Sequence, residues 1–252
     1  TLGELGYVNN SDNNGTESGW NSRLQASNSN HYETGFKWLV NAKSRLDGSL
    51  FYIKTQNELL VDIGGTNPSY KNAGGTTRKG FELAAQSYLK ESLRGLLSVT
   101  YISATFDESS TQTAGAANGN VLSGYKLPGI PQGQVYGQLS WSSTDFVKNK
   151  YRQVLGTVVS AEFISSGKIF VSDNNVYSTN TGKAFAPGYS TYNLKLSHKW
   201  DVNDLTFTGL AQLNNLTDKK YIGSVIVGES SAPFEPAPGR NWMLGLNATA
   251  RF

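Results

Sequence analysis

Seven aromatic and cationic side chains lie in or beside long polar connections of this 252-residue sequence: Tyr70, Arg78, Lys126, Tyr177, Phe185, Tyr221 and Arg240. Aromatic rings attract cations, and guanidinium or ammonium groups form strong hydrogen bonds with anions. Together they suit a planar, anionic ligand of the metal-chelate type, so we predict these seven as ligand-binding residues. The alternative for each is an ordinary solvated loop side chain.

The sequence carries no motif for covalent chemistry. Cysteine is absent, His31 and His198 are the only histidines, and neither G-x-S-x-G nor H-E-x-x-H occurs. The Asp- and Asn-rich stretches at 11–15 and 172–175 offer oxygen ligands of the kind that Ca²⁺ takes, but no spaced Glu follows them. We therefore predict no catalytic residue, no bound metal and no cofactor, and we do not expect an enzyme.

The composition indicates which elements position these side chains. Apolar residues make up 38% and charged residues 16%, while 27 Gly and 13 Tyr accompany many Asn, Ser and Thr. This composition is typical of an all-β, turn-rich chain. The net charge of +3 without a Lys/Arg run predicts no nucleic-acid surface. No apolar stretch approaches 18 residues, so we predict no transmembrane helix.

Apolar and polar residues alternate in nine segments, which predicts nine strands of roughly 9–13 residues, long enough to cross a bilayer when tilted. The strands are expected near 31–43, 48–58, 78–90, 97–102, 134–141, 151–164, 192–200, 205–213 and 241–252. In the last of them, the even-numbered residues from Trp242 to Phe252 are apolar. The second face of most strands is polar.

The predicted connections alternate strictly in length. Short ones lie near 43–48, 90–95, 143–150 and 201–204, and long ones near 59–77, 106–129, 165–188 and 217–239, with 1–30 as a possible fifth. Outer-membrane barrels have short periplasmic turns and long extracellular loops. A polar inner face indicates a wide barrel, for which nine strands are too few. We therefore predict that the chain is part of a larger barrel. The alternative is a soluble β-sandwich that acts as a binding module.

Several motifs, in order along the chain, resemble the C-terminal part of TonB-dependent outer-membrane receptors. The motifs are Thr1–Leu5 (T-L-G-E-L), Tyr32–Trp38 (Y-E-T-G-F-K-W), Phe51–Glu58, Tyr70–Gly74 (Y-K-N-A-G) with Lys79–Leu83, Leu127–Pro131 (L-P-G-I-P), Asn215–Asp218 (N-L-T-D) followed by Tyr221, and Pro238–Arg240. Each motif is weak alone. Their order and spacing cover nearly all of the sequence.

The resemblance implies that residues 1–252 form the C-terminal portion of an antiparallel transmembrane β-barrel, about nine of 22 strands, with the plug domain absent. It also implies a location in the bacterial cell outer membrane, in contact with outer-membrane lipid. Uptake of a scarce ligand, most often a ferric siderophore, would depend on the TonB complex acting through the missing plug. Phe252 resembles the terminal aromatic residue that the barrel-assembly machinery reads. The alternative is a passive porin-like channel.

Other residues are expected to have structural roles. Pro238 and Gly239 would end the last long connection, and Asn215 and Asp218 would cap or turn the chain where a strand meets that connection. His198 shares the parity of the apolar face close to a short turn, so we expect an interfacial histidine.

Overall fold

The computed structural model describes residues 24–62, 69–72, 74–109, 121, 123–143, 155–173, 175, 184–227 and 233–250. Within these ranges, no helix is long and apolar enough to cross a membrane. The strands are β1 (Asn28–Asn41), β2 (Ser44–Gln56), β3 (Leu59–Asp62), β4 (Ser69–Asn72), β5 (Thr76–Lys90), β6 (Leu93–Phe106), β7 (Gly133–Ser142), β8 (Gly156–Ser166), β9 (Ile169–Phe170), β10 (Phe185–Ala186), β11 (Tyr189–Val202), β12 (Leu205–Asn214), β13 (Ile222–Val225), β14 (Phe234–Pro236) and β15 (Asn241–Ala250).

Nine long strands form one antiparallel sheet in the order β1-β2-β5-β6-β7-β8-β11-β12-β15, with β1 and β15 at its edges. Each long strand pairs with the next long strand in the chain. The short strands pair among themselves as β3–β4, β9–β10 and β13–β14 within the long connections. The long strands are joined at one end by the connections 57–75, 107–132, 167–188 and 215–240. We call this end of the strands the long-loop end, and the opposite end the short-turn end.

The register places apolar residues side by side on one face, because directly paired residues of antiparallel strands point to the same side. One row crosses five strands through Trp141, Val159, Leu196, Ala211 and Leu244. We call this side the apolar face. Its large side chains are exposed even in the interior of the sheet, where Leu196 is 44% accessible. An exposed apolar surface that continues across five strands needs a partner other than water.

The opposite side, here called the polar face, follows the other parity. Gln138, Glu162 and Asn193 lie in one row across β7, β8 and β11. Ser140 and Ser160 form a hydrogen bond of 2.8 Å between their hydroxyl groups on the same side. The predicted two-faced strands are therefore confirmed.

All nine predicted strands are found, with boundary corrections at β2, β6 and β8. The strand predicted near 97–102 is β6, which extends from Leu93 to Phe106. β2 begins at Ser44 instead of 48, since the segment S-R-L-D-G is extended and not a loop. Arg45 and Asp47 lie on the polar face, where they form an ion pair of 2.9 Å, while Leu46 lies on the apolar face. The strand predicted at 151–164 is β8, which begins at Gly156. The six short strands were not predicted, because segments of two to four residues show no usable period.

Chain reversals at strand ends use asparagine and aspartate. Within the described part of the chain, the non-glycine residues with positive φ are Asn57, Asn175, Asn203, Asn215 and Asp218, with φ between 50° and 55°. Short polar side chains tolerate this left-handed conformation because they can hydrogen-bond locally. Asn203 supplies the conformation in the tight turn between β11 and β12, and Asn215 and Asp218 supply it where the last long connection begins.

A small apolar core sits at the long-loop end of β6. Its buried members are Ala104, Phe106, Val121 and Leu127, with Ile102, Tyr125 and Ile130 packed against them. The Phe106 amide donates to the Tyr125 carbonyl at 2.9 Å, and the Leu127 amide donates to the Ala104 carbonyl at 3.1 Å. Residues 125–127 therefore continue the sheet beside β6, beyond the start of β7.

Candidate functional site

Two of the long connections are joined to each other by hydrogen bonds. The Gly129 amide donates to the Phe170 carbonyl at 2.9 Å. The side-chain oxygen of Asn175 accepts from the Lys126 amide at 2.5 Å, and its nitrogen donates to the Lys126 carbonyl at 2.7 Å. These hydrogen bonds therefore tie the described parts of connection 107–132 to those of connection 167–188.

The Asn175 amide also bears on the possible Ca²⁺ segments. Its carbonyl oxygen already accepts a backbone hydrogen bond, which leaves it poorly placed to serve a cation. The described residues contain no group of three or more His, Cys, Asp or Glu side chains that could hold a metal ion. The other segment, 11–15, lies outside the described residues.

Asn215 holds the two ends of the last long connection together. Its side-chain oxygen accepts from the Lys219 amide at 2.9 Å, and its nitrogen donates to the carbonyls of Lys219 at 2.9 Å and Pro238 at 3.4 Å. The residue is 3% exposed and has a φ of 51°. The predicted capping role of Asn215 is confirmed.

Asp218 completes the same junction. Its carboxylate accepts from the Arg240 amide at 2.8 Å and contacts the Lys220 ammonium at 3.3 Å. The Arg240 amide, followed by Lys220, lowers the pKa of Asp218 below its ordinary value. A Cβ on Gly239 would lie 2.8 Å from the Asp218 carboxylate, so the chain approaches closely there. Pro238 and Gly239 end the connection just before β15, as predicted.

A buried carboxylate lies at the centre of the polar face. Glu162 on β8 accepts from Tyr136 at 2.8 Å, from Gln138 at 3.2 Å and from Asn193 at 3.4 Å. Lys195 forms an ion pair with it at 2.7 Å. The Glu162 side chain is 3% exposed, so four donors on two neighbouring strands compensate its loss of hydration.

This network continues into the last connection. The side-chain oxygen of Asn193 accepts from the Asn215 amide at 2.9 Å, and both residues are buried. A continuous set of hydrogen bonds therefore runs from Glu162 through Asn193 to Asn215. These hydrogen bonds join the polar face of the sheet to the start of the last long connection.

Arg78 lies on the polar face, because its position in β5 has the opposite parity to the apolar-face residues Phe81 and Leu83. Its guanidinium forms an ion pair with Glu58 at 2.9 Å and donates to the Thr76 hydroxyl at 3.1 Å. Burial raises the pKa of Glu58, but the hydrogen bonds from Arg78 and Thr76 and the Arg78 charge outweigh it, so the pKa lies below its ordinary value. Arg78 thus holds connection 57–75 against the sheet.

Phe185 lies on β10, which contacts β13, the strand that directly follows Tyr221, at the long-loop end. The Phe185 ring lies 5.7 Å from the Phe170 ring, with the Lys168 ammonium 5.1 Å from both centroids. These distances are typical of cation–π contacts. Phe185 thus belongs to a cation–aromatic cluster with Lys168 and Phe170, which the sequence analysis did not single out, and ligand binding by Phe185 stays a prediction.

Tyr221 lies beside an open cavity. Its ring stacks on that of Tyr189 with centroids 4.1 Å apart. The cavity has a volume of about 420 Å³ and is lined by Pro187, Gly188, Lys219, Lys220, Tyr221 and Ile222. The two lysines, of which Lys220 is paired with Asp218, and the aromatic ring line one cavity, and such a lining suits an anionic, planar ligand.

The remaining predicted site residues are not gathered there. Arg78 on β5 lies four strands from β11, about 20 Å along the sheet. Lys126 points toward the apolar face, where its ammonium donates to the Ser103 hydroxyl at 2.8 Å. Arg240 is exposed beside Asp218. Tyr70 lies on β4, with only its backbone described, and Tyr177 and Phe252 lie outside the described residues. Their roles stay predictions.

His198 lies on the apolar face close to the 203–204 turn, as predicted from parity. Its Nδ1 lies 2.8 Å from the Thr157 hydroxyl, and its ring stacks on Trp200 at 5.5 Å. Trp200 in turn stacks on Phe207 at 5.6 Å. These three rings therefore form an aromatic cluster at the short-turn end of the apolar face.

Sequence reasoning did not single out the Glu162 network. Alternation placed Glu162, Asn193 and Lys195 on polar positions, which was the available signal. Their meeting depends on the register of β8 with β11, which pairs Glu162 with Asn193 across a long connection. Because β8 and β11 are joined by a long connection and not by a tight turn, the residues of the connection do not fix this register.

Comparison with known proteins agrees with this architecture. The family model for the β-barrel of TonB-dependent receptor-like proteins matches residues 1–216. The chain belongs to this family of outer-membrane receptor barrels.

Solved structures show the same fold at low identity. The ferric-catecholate import receptor Fiu from E. coli K12 is 21% identical, with a TM-score of 0.62 over 91% of this chain and 28% of that receptor. The ferric preacinetobactin receptor BauA from Acinetobacter baumannii is 16% identical, with a TM-score of 0.62 over 87% and 29%. The copper transporter OprC is 14% identical, with a TM-score of 0.67 over 91% and 31%. The chain thus spans 28% to 31% of these proteins.

Proposed function

We propose that residues 1–252 form the C-terminal barrel portion of an outer-membrane TonB-dependent receptor that takes up a scarce ligand, most favourably a ferric siderophore or a similar metal chelate. The observation that carries this proposal is the match of the family model to residues 1–216. The nine-stranded sheet, with one apolar and one polar face, agrees with it. The apolar face would meet lipid, and the polar face would line the lumen. The chain would contribute binding and transport without covalent chemistry.

The ligand class is supported by two separate observations. Structural neighbours are named as receptors for ferric catecholates, ferric yersiniabactin and ferric preacinetobactin, although another is a copper transporter. In this chain, Tyr221, Lys219 and Lys220 border a cavity at the long-loop end. The TonB complex would act through a plug, and the barrel-assembly machinery would read Phe252.

The deciding experiment is a binding screen of the full-length receptor against ferric siderophores, haem and cobalamin. With the best ligand, Tyr221→Ala is expected to weaken binding about fivefold, because aromatic and cation contacts of this kind contribute about 1 kcal/mol. Tyr88→Ala is the control, since Tyr88 carries an accessible aromatic ring of the same type but lies at the short-turn end. Equal loss in both variants would exclude the Tyr221 cavity as the site.

Transport is tested in cells. Uptake of the bound chelate is expected to stop when the proton gradient across the inner membrane is dissipated, because TonB draws its energy from that gradient. Uptake that continues at the same rate, together with ion conduction in planar bilayers, would instead identify a passive porin-like channel.

A further inference from the structure

Lysines interrupt the apolar face at its long-loop end. On β2, Lys54 pairs with Thr77 of β5, and Thr77 pairs with Thr105 of β6. An isolated bridge then pairs Thr105 with Lys126. Because directly paired residues share a face, Lys54 and Lys126 lie in one row on the apolar side of the sheet.

A third lysine lies one row further from the loops. Lys79 on β5 pairs with Tyr52 on one side and with Ser103 on the other. The Lys126 ammonium reaches the Ser103 hydroxyl at 2.8 Å, so its side chain is directed toward Lys79 on this face. Neighbouring strands lie about 4.8 Å apart, which places Lys54 and Lys126 about 15 Å apart with Lys79 between them.

The order of side chains along each strand is that of a membrane interface. From the long-loop end, β2 presents Lys54, then Tyr52, then Leu50 on this face. β5 presents Lys79, then Phe81, then Leu83. Cations lie outermost, aromatic rings below them and aliphatic side chains deeper, which is the sequence of groups that headgroups, the interfacial belt and acyl chains favour.

The three ammonium groups are not neutralised within the described part of the chain. No ion pair joins Lys54, Lys79 or Lys126 to a described acidic residue, and Glu58 is occupied by Arg78. The nearest acids along β6 are Asp107 and Glu108, which follow the end of the strand and lie against Gly75 and Gly74. Among the described side chains, the cluster therefore presents unpaired positive charge on an apolar face.

We propose that Lys54, Lys79 and Lys126 bind the headgroup phosphates of a lipid in the outer leaflet. The inference rests on the proposed outer-membrane location of the chain. Ammonium groups form charge-assisted hydrogen bonds with phosphate oxygens, and clustered lysines attract anionic lipid headgroups. The aromatic and aliphatic residues directly below the cluster select an amphipathic lipid over a free anion. In this proposal, Lys126 contacts lipid and not the imported ligand.

The test uses the full-length receptor in an uncharged detergent, titrated with diphosphoryl lipid A. The triple variant Lys54→Gln/Lys79→Gln/Lys126→Gln is expected to bind about 100-fold more weakly, from about fivefold per lysine. Lys79→Gln alone is expected to bind about fivefold more weakly, and it tests the site with the smallest disturbance of the fold. Lipid A with both phosphates removed is expected to bind the wild type as weakly as diphosphoryl lipid A binds the triple variant.

The control variant Lys37→Gln/Lys43→Gln/Lys199→Gln removes the same charge nearer the short-turn end, and it is expected to bind within twofold of wild type. Equal lipid binding by the two triple variants would overturn the headgroup site. Competition by inorganic phosphate at equimolar concentration would also overturn it, in favour of a free-anion site. Ferric-chelate binding by the wild-type receptor is measured separately, so failure of the lipid site and failure of the proposed function are distinguishable.

Discussion

The two faces of the nine-stranded sheet invert the usual arrangement of a protein in water. On the apolar face, Leu196 is 44% exposed in the middle of an interior strand, whereas Glu162 on the polar face is 5% exposed. In water-soluble proteins, large aliphatic side chains are among the most buried and carboxylates among the most exposed. At Glu162 the polar face satisfies a buried carboxylate through its own hydrogen bonds, whereas the apolar face leaves large aliphatic side chains exposed.

The largest expected effect comes from placing a charge on the apolar face. Leu83 lies on this face at the middle of β5, and Leu83→Arg is expected to lower the free energy of unfolding in lipid vesicles by about 2–4 kcal/mol. Ala84→Arg is the matched control, since Ala84 is the next residue on the polar face and is already exposed. It is expected to change stability by less than about 0.5 kcal/mol. Similar effects in the two variants, measured by denaturant unfolding, would contradict the assignment of the faces.

The second prediction concerns the buried carboxylate. Glu162→Leu leaves Tyr136, Asn193 and Lys195 without their shared acceptor, and it is expected to destabilise the protein by about 2 kcal/mol. This figure is discounted for solvent screening, because the Lys195 side chain is 35% exposed.

A double-mutant cycle with Lys195→Met isolates the ion pair. The combined variant is expected to be less destabilised than the sum of the single variants, since no unpaired buried charge remains. Additive effects, measured as unfolding free energies, would show that the network contributes through its neutral hydrogen bonds instead.

The two faces also show how much could be predicted from the sequence. Alternation is a local signal, so the strands and the side on which Arg78 lies were predictable without any pairing information. The meeting of Glu162 with Asn193 was not, because it depends on a register across connection 167–188. Lys126 precedes β7 in an isolated bridge, outside any predicted strand, so its parity could not be assigned. The capping role of Asn215 was predictable since Asn favours turns, but its contact with Pro238 was not.

The third prediction asks whether the polar network extends beyond the sheet. Asn215→Ala removes the bonds to Lys219 and Pro238 and strains a position with positive φ, so it is expected to lower local stability by about 1–2 kcal/mol. The readout is faster amide hydrogen exchange in residues 215–227. Asn215→Gly keeps the conformation and loses only the bonds.

Asn203→Ala is the control for the conformational part of this effect. Asn203 has a φ of 54° in the turn between β11 and β12, far from the network. Its substitution is expected to leave exchange in residues 215–227 unchanged. If Asn215→Gly also leaves amide exchange in residues 215–227 unchanged, the hydrogen bonds of Asn215 do not hold the two ends of the last connection together.

The smallest effect is expected from the ion pair that joins connection 57–75 to the polar face. The pKa of Glu58 lies below its ordinary value, because the hydrogen bonds and charge of Arg78 together with Thr76 outweigh burial. A depressed folded-state pKa contributes stability that is fully present above the unfolded value of about 4.3 and is lost as the pH falls through the folded-state value. Since the pair is partly exposed, the contribution is about 0.5 kcal/mol, or about 1–2 °C in Tm.

The Tm advantage of wild type over Glu58→Gln is therefore expected to be constant between pH 5 and 8 and to shrink toward zero below the ordinary carboxyl range. Glu82→Gln is the control, since Glu82 is an exposed acid on the same face without an ion pair to a described residue. Its Tm difference is expected to stay near zero throughout. An advantage of wild type that persists to pH 3 would mean that the Glu58 charge does not stabilise the fold, and that the polar face is held by its neutral hydrogen bonds at this end.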